Sequence, residues 1–125
     1  MADRDLGKVL VIVPTYNERE SLPVIISGIR HAEPDVHILI ADDNSPDGTG
    51  EVAEGLRNRD SAIHVLHRES KAGLGAAYLA SFEWASQQGY EVVVEMDADG
   101  SHRPADLTKI LDAMTHNDVV LGSRW

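Results

Sequence analysis

Two patterns of apolar residues alternate along the chain. Continuous apolar runs rich in β-branched residues predict five buried strands, because their length and composition suit a strand covered on both faces. These runs span 8–14, 36–42, 63–67, 91–97 and 118–124. The segments between them carry apolar residues at helical spacing and predict four helices. The clearest helical pattern comprises Leu22, Ile25, Ile26 and Ile29.

The order of these elements predicts the fold class. Five strands alternating with four helices indicate βαβ units, and therefore an α/β fold with a Rossmann-like open, mainly parallel sheet and helices on both faces. Such sheets bind ligands beyond the carboxyl ends of their strands. Polar clusters follow every predicted strand, which places them at this edge. They are "TYNERE", "DDNSPDGT", "RESKAGLG", "DADGSHRP" and "GSRW".

The starts of two helices are also indicated by the sequence. Asn17 with Glu20 three residues later resembles a capping pair for the first helix, and Ser21 before Leu22 is an equally good start signal. Val52, Ala53 and Leu56 predict a short second helix, and the third is expected to end at Gly89.

Asp97 and Asp99 stand at the end of the fourth apolar run. Residues two apart on an extended chain point to the same side, so these carboxylates are expected to face one point. A hard divalent cation, Mg²⁺ or Mn²⁺, suits such oxygens when substrate phosphates complete its coordination. In the alternative interpretation, one aspartate caps the helix that begins near Pro104 and the other is solvated. His102 is a further ligand candidate or a solvated loop residue.

The segment 42–54 nearly fits the calcium EF-hand spacing, but Pro46 and a preceding strand argue against that site. Asp47 and Gly48 are typical of a tight turn. Asp42 and Asp43 end a strand at the ligand edge, so at least one is a candidate for binding a ribose or a base. The sequence leaves open which of the two it is.

Lys71, Gly73 and Gly75 precede the third helix, where a close backbone approach and a helix N-terminus favour phosphate. Their spacing matches neither the Rossmann fingerprint nor a P-loop, and a turn that packs the helix closely is the alternative. Arg124 could meet a phosphate or be solvated. There is no Ser-His-Asp or Cys-His arrangement, so metal-assisted handling of a phosphorylated or nucleotide ligand is favoured.

Composition narrows the function classes. The 21 acidic and 11 basic residues give a net charge of −10, which should repel nucleic acid and anionic lipid surfaces. No cysteine is present, which removes disulfides, thiolate metal sites and thiol nucleophiles. Neither a spanning segment nor a signal peptide pattern is visible, so a cytosolic chain is expected.

Five blocks in order resemble the amino-terminal half of a family 2 glycosyltransferase of the GT-A fold, most closely the polyprenol-phosphate (dolichol-phosphate) mannosyltransferases. The blocks are "VIVPTYNERESLP", "IADDNSPDGTGEVAE", "HRESKAGLGAAY", "VVVEMDADGSHRPADL" and "DVVLGSRW". Five ordered blocks are far more specific than any single motif. The resemblance implies one nucleotide-sugar-binding domain over residues 1–125, incomplete at its C-terminus.

The resemblance also implies a reaction. Mannose would pass from GDP-mannose to a polyprenol phosphate lipid with inversion, assisted by Mg²⁺ or Mn²⁺. Another sugar, such as glucose, carried to polyprenol phosphate would use the same blocks, and a non-catalytic nucleotide-binding module is an alternative of a different class. The stretch "MDADGS" also resembles the nucleophile motif of haloacid dehalogenase phosphatases, but three predicted strands precede it here, whereas that motif usually follows the first.

Site roles follow by position from the same resemblance. The residues implied to bind the donor are Pro14, Tyr16, Glu18, Asp43, Lys71, Gly73 and Asp97. Those implied to be catalytic are Asp97, Asp99 and Arg124. The implied metal ligands are Asp97, Asp99 and Ser101, although relatives often carry glutamine in place of Ser101.

The chain ends at Trp125, where relatives continue into acceptor-binding and membrane-facing elements. We therefore expect a donor-binding fragment that acts at the cytoplasmic face of a membrane, with an anchoring partner or a missing C-terminal half. Lipid mannosylation by this chain alone is expected to be absent or very weak. In relatives a later strand separates the fourth and fifth, so 118–124 is expected to lack a neighbour and leave an unpaired edge.

Overall fold

A computed structural model describes residues 8–69, 74–98 and 103–113 of the chain. These residues form four strands and four helices in strict alternation, as the apolar pattern predicts. In chain order they are β1 (Val9–Thr15), α1 (Ser21–Ala32), β2 (His37–Asp42), α2 (Thr49–Arg59), β3 (Ile63–His67), α3 (Leu74–Gln87), β4 (Val92–Glu95) and α4 (Pro104–Ala113). The predicted fifth strand, 118–124, lies outside the described residues.

The four strands form one parallel sheet in the order β3-β2-β1-β4. The predicted open parallel α/β fold is thus confirmed. The chain first adds strands on one side of β1 and then crosses to its other side to add β4. The order therefore reverses between β1 and β4, and ligands of open α/β sheets bind at the carboxyl ends of strands at such a reversal.

Residues of β1 alternate between two cores, because successive side chains of a strand point to opposite faces. Val11 and Val13 belong to a core with apolar residues of α1, α2 and α4. Leu10 and Ile12 lie on the other face, with Ala85 of α3. The prediction that helices cover both faces is confirmed, and a central strand buried on both sides explains why its sequence is continuously apolar.

Helix boundaries test three of the expectations. Helix α1 begins at Ser21 without a side-chain cap, so the predicted capping pair of Asn17 and Glu20 is wrong and the alternative start is confirmed. Asn17 instead adopts a left-handed backbone with φ 57°. Helix α2 is longer than predicted because it begins directly after Gly48, whose φ of 93° turns the chain. Helix α3 is followed by Gly89 with φ 81°, as predicted.

None of the helices in the described part of the chain has the length and apolar character that crossing a bilayer requires.

A cluster of polar rings lies where the strands begin, away from the carboxyl edge. His37 Nδ1 lies 3.3 Å from His64 Nε2 and 2.8 Å from the Tyr90 hydroxyl oxygen. The Trp84 ring packs against His64, and Lys8 Nζ lies 4.5 Å from the centre of the Tyr90 ring. Burial is the largest cause that lowers the pKa of both histidines.

We expect these histidines to make folding sensitive to acid. Their pKa values in the folded chain lie below the ordinary value of 6.5, so the unfolded chain binds more protons. The stabilisation is complete above pH 6.5 and is lost as the pH falls from 6.5 towards the folded-state values. Other charged groups that act on the pair are Lys8, Arg30, Arg57 and Asp60.

Urea unfolding measured on both sides of pH ~6.5 tests this expectation. His64→Gln should flatten the acid loss of stability, whereas His31→Gln, on the exposed side of α1, should leave it unchanged. Equal pH profiles for wild type and His64→Gln would contradict the assignment.

Candidate functional site

The predicted ligand edge brings together the ends of β2, β1 and β4. Thr15 at the end of β1 is paired in register with Asp42 at the end of β2. On the other side of β1, the last register pair with β4 joins Ile12 to Glu95. Pro14 follows and has no N–H with which to extend that ladder. Asp97 therefore emerges beside a stretch of β1 that is not paired with β4.

Asp42 is a buried carboxylate with 2% exposure. One oxygen accepts hydrogen bonds from the hydroxyls of Thr15 (2.8 Å) and Ser45 (2.6 Å), and the other accepts the Ser45 backbone N–H at 3.1 Å. A buried carboxylate needs such partners, and here the ones named come from Thr15 and Ser45 at the same edge of the sheet. Asp42 thus holds the end of β2 to the end of β1.

Asp43 has different partners. Its carboxylate forms a 2.8 Å ion pair with the Arg68 guanidinium, and the side chains are 8% and 17% exposed, respectively. The backbone fixes both residues, because Asp43 N–H donates to the carbonyl of Thr15 and Arg68 N–H donates to that of Asp42. Sequence reasoning missed Arg68, since a single arginine 25 residues away carries no signal for this pairing.

The loop carrying Tyr16 and Glu18 is held by the loop that follows β2. Asn17 N–H donates to the Ser45 hydroxyl, and Glu18 N–H donates to the Thr49 hydroxyl at 3.0 Å. The loop bearing two predicted donor-binding residues is thereby fixed from across the sheet edge.

Asp47 serves as a shared acceptor in this contact. Its carboxylate accepts the backbone N–H of Arg19 at 3.2 Å and both the N–H and the hydroxyl of Thr49. The hydroxyl bond is the largest cause that lowers the Asp47 pKa. With Gly48 at positive φ, this geometry is the predicted tight turn, and the link to the first loop is a role that the sequence did not reveal.

Asp97 lies on the α3 face of the sheet, half-buried. The Tyr78 hydroxyl of α3 donates to Asp97 Oδ1 at 3.3 Å. Glu95 is 3% exposed, and its charge, with that of Asp97, adds to burial in raising the pKa of Tyr78 far above its ordinary value. Glu95 was not predicted as a site residue, although its two-residue spacing from Asp97 is the signal that could have identified it.

The predicted cation set is only partly described. Within residues 8–69, 74–98 and 103–113, no group of three or more His, Cys, Asp or Glu side chains is arranged to hold a metal. Asp97 supplies a hard carboxylate oxygen at the predicted place, which fits Mg²⁺ or Mn²⁺ with phosphate oxygens as further ligands. The other predicted site residues, which lie outside the described residues, are Lys71, Gly73, Asp99, Ser101, His102 and Arg124.

Besides Asp43 and Asp97, three donor-binding candidates lie among the described residues. Pro14 is buried in β1, whereas Tyr16 and Glu18 are partly exposed in the loop that follows. A cavity of about 470 Å³ opens beside this loop, and Glu18 and Asp47 contribute to its lining. The structure thus brings the first loop and Asp43 to one edge with Asp97.

The fold and this edge define an α/β protein of the open parallel class with an acidic site at the strand reversal. Residues 10–125 match the model of glycosyl transferase family 2, and the chain belongs to that family. The family recognised from the five sequence blocks is thereby confirmed.

Curated relatives are closely similar over nearly the whole chain. It is 56% identical over 124 residues to the polyprenol monophosphomannose synthase of Mycolicibacterium smegmatis, covering 98% of this chain and 47% of that protein. It is 52% identical over 117 residues to the undecaprenyl-phosphate mannosyltransferase of Micrococcus luteus, covering 94% and 48%, respectively. The chain thus spans about half the length of these two relatives.

Two solved structures share the fold. The mannosyltransferase PcManGT from Pyrobaculum calidifontis, in complex with GDP-Man and Mn²⁺, matches with a TM-score of 0.66 and 25% identity, covering 74% of this chain and 27% of that one. Residues 1–349 of S. aureus TarS match with a TM-score of 0.68 and 24% identity, covering 85% and 32%, respectively.

Proposed function

We propose that residues 1–125 form the donor-binding domain of a polyprenol-phosphate mannosyltransferase, which binds GDP-mannose with Mg²⁺ or Mn²⁺. The observation that carries the proposal is the position of Asp97 at the strand reversal, beside the loop of Tyr16 and Glu18. The names of the relatives support the lipid phosphate acceptor, and the complex of PcManGT supports the donor and the cation.

The described residues at the first loop and at Asp43 suit the nucleotide end of a nucleotide-sugar. Asp43 offers a buried carboxylate, held by Arg68, for the N–H groups of a guanine edge or for ribose hydroxyls. Tyr16 and Glu18 would line the nucleotide pocket from a loop whose backbone is already fixed by Ser45 and Thr49. A preorganised loop loses less conformational entropy when the donor binds.

Asp97 and Asp99 would hold the divalent cation. When bound, that ion would neutralise charge on the GDP leaving group. An oxygen of the anionic lipid phosphate would attack the anomeric carbon while the bond from that carbon to the GDP oxygen breaks, which inverts the anomeric centre. The acceptor oxygen is already deprotonated, so this chain needs no general base. The proposal also includes Lys71 and Gly73 as donor contacts, Ser101 as a metal ligand and Arg124 as a phosphate contact.

Amide NMR of the ¹⁵N-labelled chain with Mg²⁺ tests donor binding. We expect GDP-mannose to shift the amide signals of Tyr16 and Glu18, because these residues lie on the proposed nucleotide pocket. The amide signals of His37 and His64, where the strands begin, should stay in place.

UDP-glucose is the competitor in the same titration. It should shift the Tyr16 and Glu18 signals less at equal concentration and should not displace GDP-mannose. Stronger binding of UDP-glucose than of GDP-mannose would show that the chain prefers a glucose donor, and would overturn the mannose assignment. Dispersed signals that respond to neither nucleotide would overturn the donor-binding proposal.

A further inference from the structure

One face of β4 and its extension carries two carboxylates. Val92, Val94 and Met96 lie in the core shared with α1 and α4, whereas Val93 lies in the core against α3. Successive side chains alternate, so Glu95 and Asp97 follow Val93 onto the α3 face. Two like charges two residues apart on one face repel each other, and Glu95 is 3% exposed, so water screens that repulsion poorly.

Tyr78 enters this acidic pair from α3. Its hydroxyl donates to Asp97 Oδ1 at 3.3 Å. Its ring packs against Phe82 one helical turn later, with ring centres 6.3 Å apart and planes 20° from parallel. The backbone of α3 and the Phe82 ring thus fix the position of the phenol, whose hydroxyl hydrogen-bonds Asp97 and also interacts with Glu95.

The hydroxyl of Tyr78 serves the carboxylates and not the packing of the helix. The neighbouring residues in the α3 core include Leu10, Ile12 and Val93, which offer no side-chain hydrogen-bond partner. A phenylalanine would fill the same apolar space, as Phe82 does four residues later. The hydroxyl of Tyr78 is therefore expected to affect the Asp97 carboxylate and not the packing of α3.

We propose that Tyr78 is a positioning residue that holds the Asp97 carboxylate in the orientation that binds the divalent cation of the donor complex. The inference rests on the proposed function, because it takes Asp97 as a cation ligand. Without the phenol hydrogen, repulsion from Glu95 would turn the Asp97 carboxylate away. A cation site built from few protein oxygens is sensitive to such a change, because each ligand contributes a large share of the binding.

Tyr78→Phe tests this role, and Tyr90→Phe is the matched control. Both changes remove one hydroxyl from a partly buried tyrosine, but Tyr90 lies in the histidine cluster where the strands begin. We expect Tyr78→Phe to weaken Mn²⁺ binding about tenfold, as loss of a hydrogen bond to a charged group implies. Tyr90→Phe should leave Mn²⁺ binding within about twofold of wild type.

Electron paramagnetic resonance of free Mn²⁺ measures this affinity in the presence of GDP-mannose, and urea unfolding of each variant is recorded in parallel. A merely structural role would lower the stability of Tyr78→Phe without changing the Mn²⁺ dissociation constant, and that result would overturn the inference while leaving the proposed function intact. Failure of the wild type to bind Mn²⁺ would overturn both.

Paramagnetic broadening gives a second readout that does not depend on a variant. Bound Mn²⁺ should broaden the ring signals of Tyr78 strongly and leave those of Tyr90 sharp. The chain has three tyrosines, so the signals can be assigned individually. A sharp Tyr78 signal at saturating Mn²⁺ would place the cation away from Asp97 and overturn the inference.

Discussion

Arg68→Met is expected to lower the free energy of unfolding by about 3 kcal/mol, because it leaves the buried Asp43 carboxylate without its cation. The pair is largely shielded from water, with side-chain exposures of 17% for Arg68 and 8% for Asp43. Methionine keeps much of the apolar stem of arginine, so the loss reports the charge and its hydrogen bonds more than packing. Urea unfolding at neutral pH measures the change.

Arg57→Met is the matched control for this prediction. Arg57 forms an ion pair with Glu54 on α2, but the two side chains are 53% and 35% exposed. An exposed pair of this kind contributes about 0.5 kcal/mol or less. Similar losses for Arg57→Met and Arg68→Met would contradict the distinction drawn from burial.

The double variant Asp43→Asn with Arg68→Met separates pairing from general damage. Removing the second charge should restore much of the stability lost in Arg68→Met, since no uncompensated carboxylate remains. The affinity of the double variant for GDP-mannose should nevertheless be lower than that of the wild type, because Asp43 is proposed to contact the nucleoside. Stability and donor binding would then respond differently to the same pair of substitutions.

The sequence predicted the sheet better than the site, for a physical reason. A strand buried on both faces must be apolar at nearly every position, so β1 and β2 are visible as continuous runs. The reversal of strand order at β1 is set by how the helices pack, and the apolar runs alone do not specify it.

The adjacent pair Asp42 and Asp43 shows where sequence reasoning stops. Both are acidic, Asp42 ends β2 and Asp43 follows it directly, yet one accepts hydrogen bonds from Thr15 and Ser45 and the other pairs with Arg68. Neighbouring residues of a strand face opposite sides, so their partners come from different elements. Which aspartate meets which partner depends on contacts between distant parts of the chain, and only the fold reveals it.

Asp97→Asn is expected to weaken Mn²⁺-dependent binding of GDP-mannose at least about a hundredfold, because the amide replaces a charged cation ligand with a neutral one. Calorimetric titration with the donor at saturating Mn²⁺ for the wild type measures the loss. The control is Asp112→Asn, which removes the same charge from an exposed position on α4 and should leave donor affinity unchanged.

The stability of Asp97→Asn shows whether a loss of donor binding comes from a lost cation ligand or from a damaged fold. The amide oxygen can still accept the Tyr78 hydrogen bond, and removal of the charge relieves repulsion from Glu95, so the urea midpoint should stay equal or rise. A variant that is as stable as wild type and no longer binds the donor has lost a ligand, not its fold. If Asp97→Asn binds GDP-mannose as tightly as wild type with Mn²⁺, then the buried acidic pair serves the structure of the β4 edge, and the cation is held elsewhere.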